Sequence, residues 1–164
     1  LGAKEAITLP KKTYLSVPGL VIHAGCQIKF EDFEWSGVYK LDPYPIVDGA
    51  TRFTKDMYIS GTFHCLSFHI RKVLAIGKGG MILTDDKEAA DWFRRARYEG
   101  RNNREAHDSI EDIWILGWNY YMPPEQAGYG IELFDKLPEK NDDTGGSWKY
   151  KDLSSYTAWN GFVV

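Results

Sequence analysis

The sequence predicts an α/β domain, a mixed or mostly parallel sheet flanked by helices, and two kinds of observation carry that expectation. Short apolar runs at "PIVDGA", "GTFHCLSFH" and "GGMILTDD" are bounded by glycine, proline or polar residues, the profile of strands that cross a core and open into loops. After them come two stretches with apolar residues at helical spacing, 85–100 and 123–138. Strands that need covering on both faces, together with amphipathic helices able to cover them, call for a layered α/β arrangement.

Bulk properties agree with one compact unit. The 164 residues are 43% hydrophobic and 15% aromatic, enough for a single core. A formal net charge of -3 argues against a broad nucleic-acid or anionic-membrane footprint. No apolar run approaches the roughly 20 residues a membrane helix needs, and "LGAKEAITLP" lacks the layout of a secretion signal. A cytoplasmic protein with neither nucleic-acid nor membrane partner is the expectation. Because the chain starts at Leu1, it reads as a segment of something longer.

Taken in order, residues 20 to 30, "LVIHAGCQIKF", read as short strands and turns broken at a glycine. "PIVDGA" reads as a buried strand whose carboxyl end, at Asp48 and Gly49, opens into a loop. In the next strand, side-chain alternation puts Phe63, Cys65, Ser67 and His69 on one face and His64, Leu66 and Phe68 on the other. "GKGG" is a tight turn into the strand "MILTDD". A helix follows, with Asp85 and Glu88 as its N-terminal capping pair, Ala89, Phe93 and Ala96 as its apolar stripe, and Gly100 as its stop. "RNNREAHDSIED" reads as a polar loop. The second helix begins near Pro123 or Pro124, carries Ala127, Ile131 and Phe134 as its stripe, and ends at Pro138. The tail, residues 141–164, combines a flexible glycine pair with irregular aromatics and is left unassigned, apart from a core at 1–140.

Several kinds of chemistry find no support. Cys26 and Cys65 lack metal-site or disulfide spacing and read as buried thiols. The histidines do not cluster, so no metal site is expected. "GKGG" lacks the spacing of a nucleotide loop and precedes a strand rather than a helix. Lys72 remains. It lies just past a strand expected to be buried, between Ser67 and the glycine turn, placed to enter a pocket near Asp48. A lysine amine, with an unperturbed pKa of about 10.4, becomes a nucleophile when burial or a nearby cation lowers that value.

Residues 67 to 82, "SFHIRKVLAIGKGGMI", resemble the hallmark S-F-x-x-x-K-x-L-x-x-G-x-G-G-x-I of the DegT/DnrJ/EryC1/StrS family of pyridoxal-phosphate-dependent sugar aminotransferases. "PIVDGATR", "LPKKTY" and "GWNYYMPPEQA" resemble further segments of that family, in the same order. The resemblance implies the large domain of a fold-type I pyridoxal-phosphate transferase, a three-layer α/β sandwich, here truncated. It also implies the cofactor pyridoxal 5'-phosphate, held by Lys72 as a Schiff base. Asp48 would pair with the pyridine nitrogen, Tyr14 stack on the ring, and Ser67 and Thr51 complete the cofactor site. Asn119 would reach the cofactor phosphate of a neighbouring subunit, which makes a homodimer the implied assembly. A nucleotide sugar as acceptor and glutamate or glutamine as amino donor follow from the same likeness. The chain departs from the family in lacking its long N-terminal region with a phosphate-binding turn and most of its small C-terminal domain. Thr51 replaces a glutamine, Lys78 a glutamate and Tyr121 an arginine. A truncated, non-catalytic binding or structural module is therefore the alternative expectation.

Overall fold

The computed structural model describes residues 5–109 and 113–164. Its element order is β1 (Ile7–Pro10), α1 (Ser16–His23), β2 (Ile28–Glu31), β3 (Tyr39–Leu41), β4 (Ile46–Asp48), β5 (Phe63–Ser67), β6 (Gly80–Leu83), α2 (Lys87–Ala96) and α3 (Pro124–Phe134). β1 and β2 pair in parallel around α1, while the larger sheet runs β3-β4-β5-β6. Within it only β4 and β5 are parallel; β3 and β6 each run antiparallel to their neighbour. A single bridge, Thr8 to Asp42, ties β1 to the end of β3. The sheet is thus mixed rather than mostly parallel.

Residues 20 to 30 differ from expectation. They hold the end of a helix and one strand, not strands and turns. Pro18 lies in the first turn of α1, where its missing N–H is not needed, and Val21 follows at helical spacing, so both are buried. β-Branched Val17, Val21 and Ile22, with Gly19 between, give little intrinsic helical preference. Packing against β1 and β2 supplies the difference. Leu9 and Ile28 are fully buried in this first core, with Trp35, Tyr39 and Leu41.

The strands around the hallmark lysine agree with the sequence. His64 and Leu66 of β5 are buried while Phe63, Cys65 and Ser67 are half-buried, which is the alternation a pleated strand imposes. "GKGG" closes the loop from β5 to β6: the Phe68 N–H donates to the Gly79 carbonyl at 2.9 Å and Ile70 N–H to Gly77 at 3.1 Å. Gly77 and Gly79 have φ of +95° and +109°, a region side chains avoid, so this reversal needs glycine.

α2 begins one residue later than expected. Asp86, not Asp85, is the cap, accepting the Ala89 N–H at 2.9 Å. Asp85 instead accepts the Ser60 hydroxyl at 2.6 Å, and that engagement takes it out of the capping role. Residues 110–112 of the polar loop lie outside the described residues; His107–Ser109 form one 3-10 turn. α3 starts at Pro124 as expected but ends at Phe134, with Asp135 as its cap and short turns carrying the chain on to Pro138. Its expected stripe is not covered: Ile131 and Phe134 are 64% and 56% exposed. The inward contacts come from Gly130 against Ile76 and from Leu133. Phe134 and Ile131 line an open apolar groove of about 990 Å³ with Phe53, Leu66, Phe68 and Leu74.

The tail is ordered by the body of the chain. Gly145 and Gly146 are buried, and Ser147 is fully so. The Gly37 N–H donates to the Gly145 carbonyl at 3.0 Å, Ser147 N–H to the Trp35 carbonyl at 3.0 Å, and Leu153 N–H to the Lys11 carbonyl at 2.9 Å. The glycine pair is therefore a tightly packed crossing rather than a flexible joint. Beyond it Leu153 and Trp159 are buried, and Phe162 to Val164 return alongside Ile28 of β2. No helix among the described residues is long and apolar enough to cross a membrane.

Candidate active site

Asp48 ends β4, at the carboxyl side of the parallel pair β4 and β5, where pockets form in sheets of this kind. Both of its oxygens are engaged: the Tyr39 hydroxyl donates to Oδ2 at 2.6 Å and the Ala50 N–H to Oδ1 at 2.8 Å. Tyr39 reaches it because strand register sets the two residues opposite each other. The Thr13 hydroxyl lies 2.6 Å from the same phenol oxygen. Since the single Tyr39 proton goes to the carboxylate, Thr13 is the donor in that contact. Burial, then the Asp48 charge, raises the Tyr39 phenol far above its ordinary value, so it stays a proton donor.

Lys72 sits in the β5–β6 loop, half-buried, with its N–H donating to the His69 carbonyl at 2.9 Å. Burial pushes its amine below the usual lysine range. Asp48 opposes that shift and Lys149 adds to it. The Asp48 and Lys149 charges thus both act on the Lys72 amine, while the Lys149 amine itself donates to the Thr144 carbonyl. Tyr150 is raised by burial, then by the Asp48 charge and by Tyr14. Cys65, paired with Asp48 in the sheet, is pushed up to about 11 by burial and the same charge and remains a neutral thiol.

The other expected residues divide. Ser67 lies on the Cys65 face of β5, and its oxygen accepts the His69 N–H at 3.3 Å, leaving its proton for another acceptor. Tyr14 is 61% exposed on the segment after β1. Thr51 is buried and its hydroxyl donates to the Gly145 carbonyl at 2.9 Å, with the Gly37 carbonyl at 3.1 Å, so it holds the tail rather than facing the space around Lys72. Asn119 belongs to a separate segment, where its amide donates to Glu99 at 2.7 Å and its backbone bridges Tyr98. Tyr39, Lys149 and Tyr150 were not expected; nothing in the sequence signals them, because each arrives by pairing or by contacts across the whole chain.

His64 lies just beneath this site. It is fully buried with neither ring nitrogen hydrogen-bonded, and a Cβ at Gly49 would stand 2.2 Å from its Nε2. Burial, then the Arg52 charge, lowers its pKa, with Asp48 opposing. Among the described residues no group of three or more His, Cys, Asp or Glu is arranged to hold a metal ion.

The donor set fits a phosphorylated pyridine aldehyde. It offers a half-buried amine lowered toward its neutral form, a carboxylate fixed by two donors, a free hydroxyl proton on Ser67 and the exposed phenol ring of Tyr14.

Comparison with known proteins bears on the same residues. Residues 48–150 match the model of the DegT/DnrJ/EryC1/StrS aminotransferase family. The GDP-perosamine synthase of Caulobacter vibrioides is 32% identical over 93 residues, 56% of this chain and 24% of that protein. The UDP-4-amino-4,6-dideoxy-N-acetyl-beta-L-altrosamine transaminase of Campylobacter jejuni is 25% identical over 139 residues, 81% of this chain and 36% of that protein. The chain therefore spans about a quarter to a third of the length of these curated relatives. Among solved structures, the sugar aminotransferase of Micromonospora echinospora superposes with a TM-score of 0.64 at 14% identity, over 81% of this chain and 49% of that one. The aminotransferase of Psychrobacter cryohalolentis does so with a TM-score of 0.57 at 16% identity, over 80% and 46%. At such identities the likeness is one of fold, a truncated α/β aminotransferase fold.

Proposed function

The chain belongs to the DegT/DnrJ/EryC1/StrS aminotransferase family, and from that premise we propose that it serves amino-group transfer from glutamate or glutamine to a keto carbon of a nucleotide sugar, with pyridoxal 5'-phosphate as cofactor. The relatives named as acting on GDP- and UDP-linked sugars support the acceptor class. When bound, the cofactor supplies a carbonyl carbon that takes up the amino group and a ring that accepts the electron pair released at the donor's Cα.

This chain's residues do the rest. Lys72 holds the cofactor through its Nζ and then moves the proton at the donor's Cα, a role that needs an amine able to be neutral near physiological pH. Asp48 holds a proton on the pyridine nitrogen, and Tyr39 with Ala50 keeps its carboxylate aimed. Ser67 donates its hydroxyl to the phosphate, and Tyr14 covers one face of the ring. Asn119 and the exposed run of Leu116, Trp118, Tyr120 and Tyr121 form the surface on which a second copy pairs, in keeping with the exposure of those four apolar side chains.

The observation that carries the reading is the half-buried Lys72 amine in the β5–β6 loop, pushed down by burial and held back from falling further by the Asp48 carboxylate that ends β4. Its test is the visible absorbance that appears when pyridoxal phosphate is added to the purified chain. Wild type should develop a band that Lys72→Ala abolishes, and the band should decay when glutamate is added. A band of equal strength in both proteins refutes the reading. A non-catalytic binding module is the second reading, favoured by the apolar groove that α3 leaves open. It predicts no lysine-dependent band at all.

A further inference from the structure

Residues 144–153 form a strap clamped at both ends. Upstream, Thr144 N–H donates to the Thr51 carbonyl at 2.8 Å and the Gly145 carbonyl accepts from Gly37 and Thr51. Downstream, Leu153 N–H donates to Lys11, and Lys12 bridges Asp152. Arg52 grips the segment just before it through two 2.8 Å bonds to the Asp143 carboxylate. Between the clamps the strap crosses Trp35, whose indole N–H is fixed on the Lys12 carbonyl at 2.8 Å. Tyr150 stacks on Trp35, centroids 5.8 Å apart at 20°, and Trp35 in turn lies 4.7 Å from Tyr39, the residue that donates to Asp48. A chain of ring contacts, Tyr150 stacked on Trp35 and Trp35 tilted against Tyr39, thus leads from the strap to the carboxylate.

We propose that this strap forms one wall of the Asp48–Lys72 site and that the ring of Tyr150 contacts the aromatic ligand bound there, an inference that rests on the reading given under Proposed function. A half-buried tyrosine backed by a fixed indole is a preorganised surface for a flat heteroaromatic ring, because its two χ angles are already set. Electrostatics place it at the site as well: the Tyr150 phenol feels Asp48 and Tyr14, and Lys72 feels Lys149, the next residue along the strap. Tyr14 is more exposed than Tyr150 and has no ring packed behind it among the ring pairs described. Tyr150 is therefore the better-held of the two faces.

The test places 3-fluorotyrosine at position 150 of the full chain and titrates it with pyridoxal phosphate, following both the fluorine resonance and the Lys72-dependent absorbance. The resonance should shift, with the same half-saturation as the absorbance band. Tyr150→Ala should weaken binding at least about tenfold, while Tyr150→Phe, which keeps the ring, should stay within about threefold of wild type. A band that forms while the resonance stays still overturns the role of Tyr150 and leaves the aminotransferase reading standing, whether or not Tyr150→Ala folds. Failure of the wild-type chain to form any Lys72-dependent band refutes that reading, and the inference with it.

Discussion

Lys72 stands between opposing charges, and their signs can be checked one residue at a time. Burial and Lys149 favour its neutral amine; Asp48 favours the ammonium. Labelling by an amine-specific reagent, followed by mass spectrometry across pH, should give Lys72 a midpoint below that of an ordinary lysine. Asp48→Asn should move the midpoint lower still, and Lys149→Gln should move it higher. A midpoint unmoved by either change would show that neither charge reaches the amine. His64 makes a different kind of prediction. Its folded pKa lies below the unfolded value of about 6.5, so the unfolded chain takes up the proton first as pH falls. The stability it allows is complete above about pH 6.5 and declines below it, by up to about 1.4 kcal/mol per pH unit. Urea melts at neutral and mildly acid pH should show that loss, and His64→Gln should flatten it.

Among the elements, β4, β5 and β6 were legible because their signals are local: apolar runs, alternation and glycines at the turn. The placement of Lys72, Asp48 and Ser67 on or beside those strands was legible with them. α1 was not legible, since its helix is made by packing of Pro18 and Val21 against β-branched odds. Nor was the strap, whose anchors join residues far apart in sequence, Ser147 to Trp35 and Thr51 to Gly145. Thr51 shows the cost to site prediction: its place in the family pattern suggested a cofactor contact, but the strap claims its hydroxyl. The glycines at these crossings give a direct check. A Cβ at Gly146 would stand 2.5 Å from the Trp35 carbonyl, backbone that cannot step aside. Gly146→Ala should therefore cost about 1–3 kcal/mol in a denaturant melt. Gly49→Ala should cost a similar amount through His64, and the loss should shrink in Gly49→Ala with His64→Ala, because the severe overlap is with that ring and only the Cys65 carbonyl oxygen, at 3.3 Å, stays close.

Across the whole molecule, two apolar clusters divide the work. One lies around β1, α1, β2 and β3, the other beneath β5, β6 and α3, and fully buried Val47 of β4 lies in the sheet between them. The first is closed by the strap; the second opens into the groove of about 990 Å³. A folded chain seldom leaves so much contiguous apolar surface uncovered without a use for it. The exposed groove predicts that the native protein at neutral pH binds the dye 8-anilinonaphthalene-1-sulfonate with a marked rise in fluorescence. Ile131→Asp or Phe134→Asp should reduce that rise severalfold. Ile131→Asp should change stability by no more than about 0.5 kcal/mol, since Ile131 is 64% exposed, whereas Phe134→Asp should cost about 0.5–1.5 kcal/mol through its edge-on contact with Phe53. Equal fluorescence in wild type and both variants would place the dye elsewhere and remove the groove as the open face of the fold.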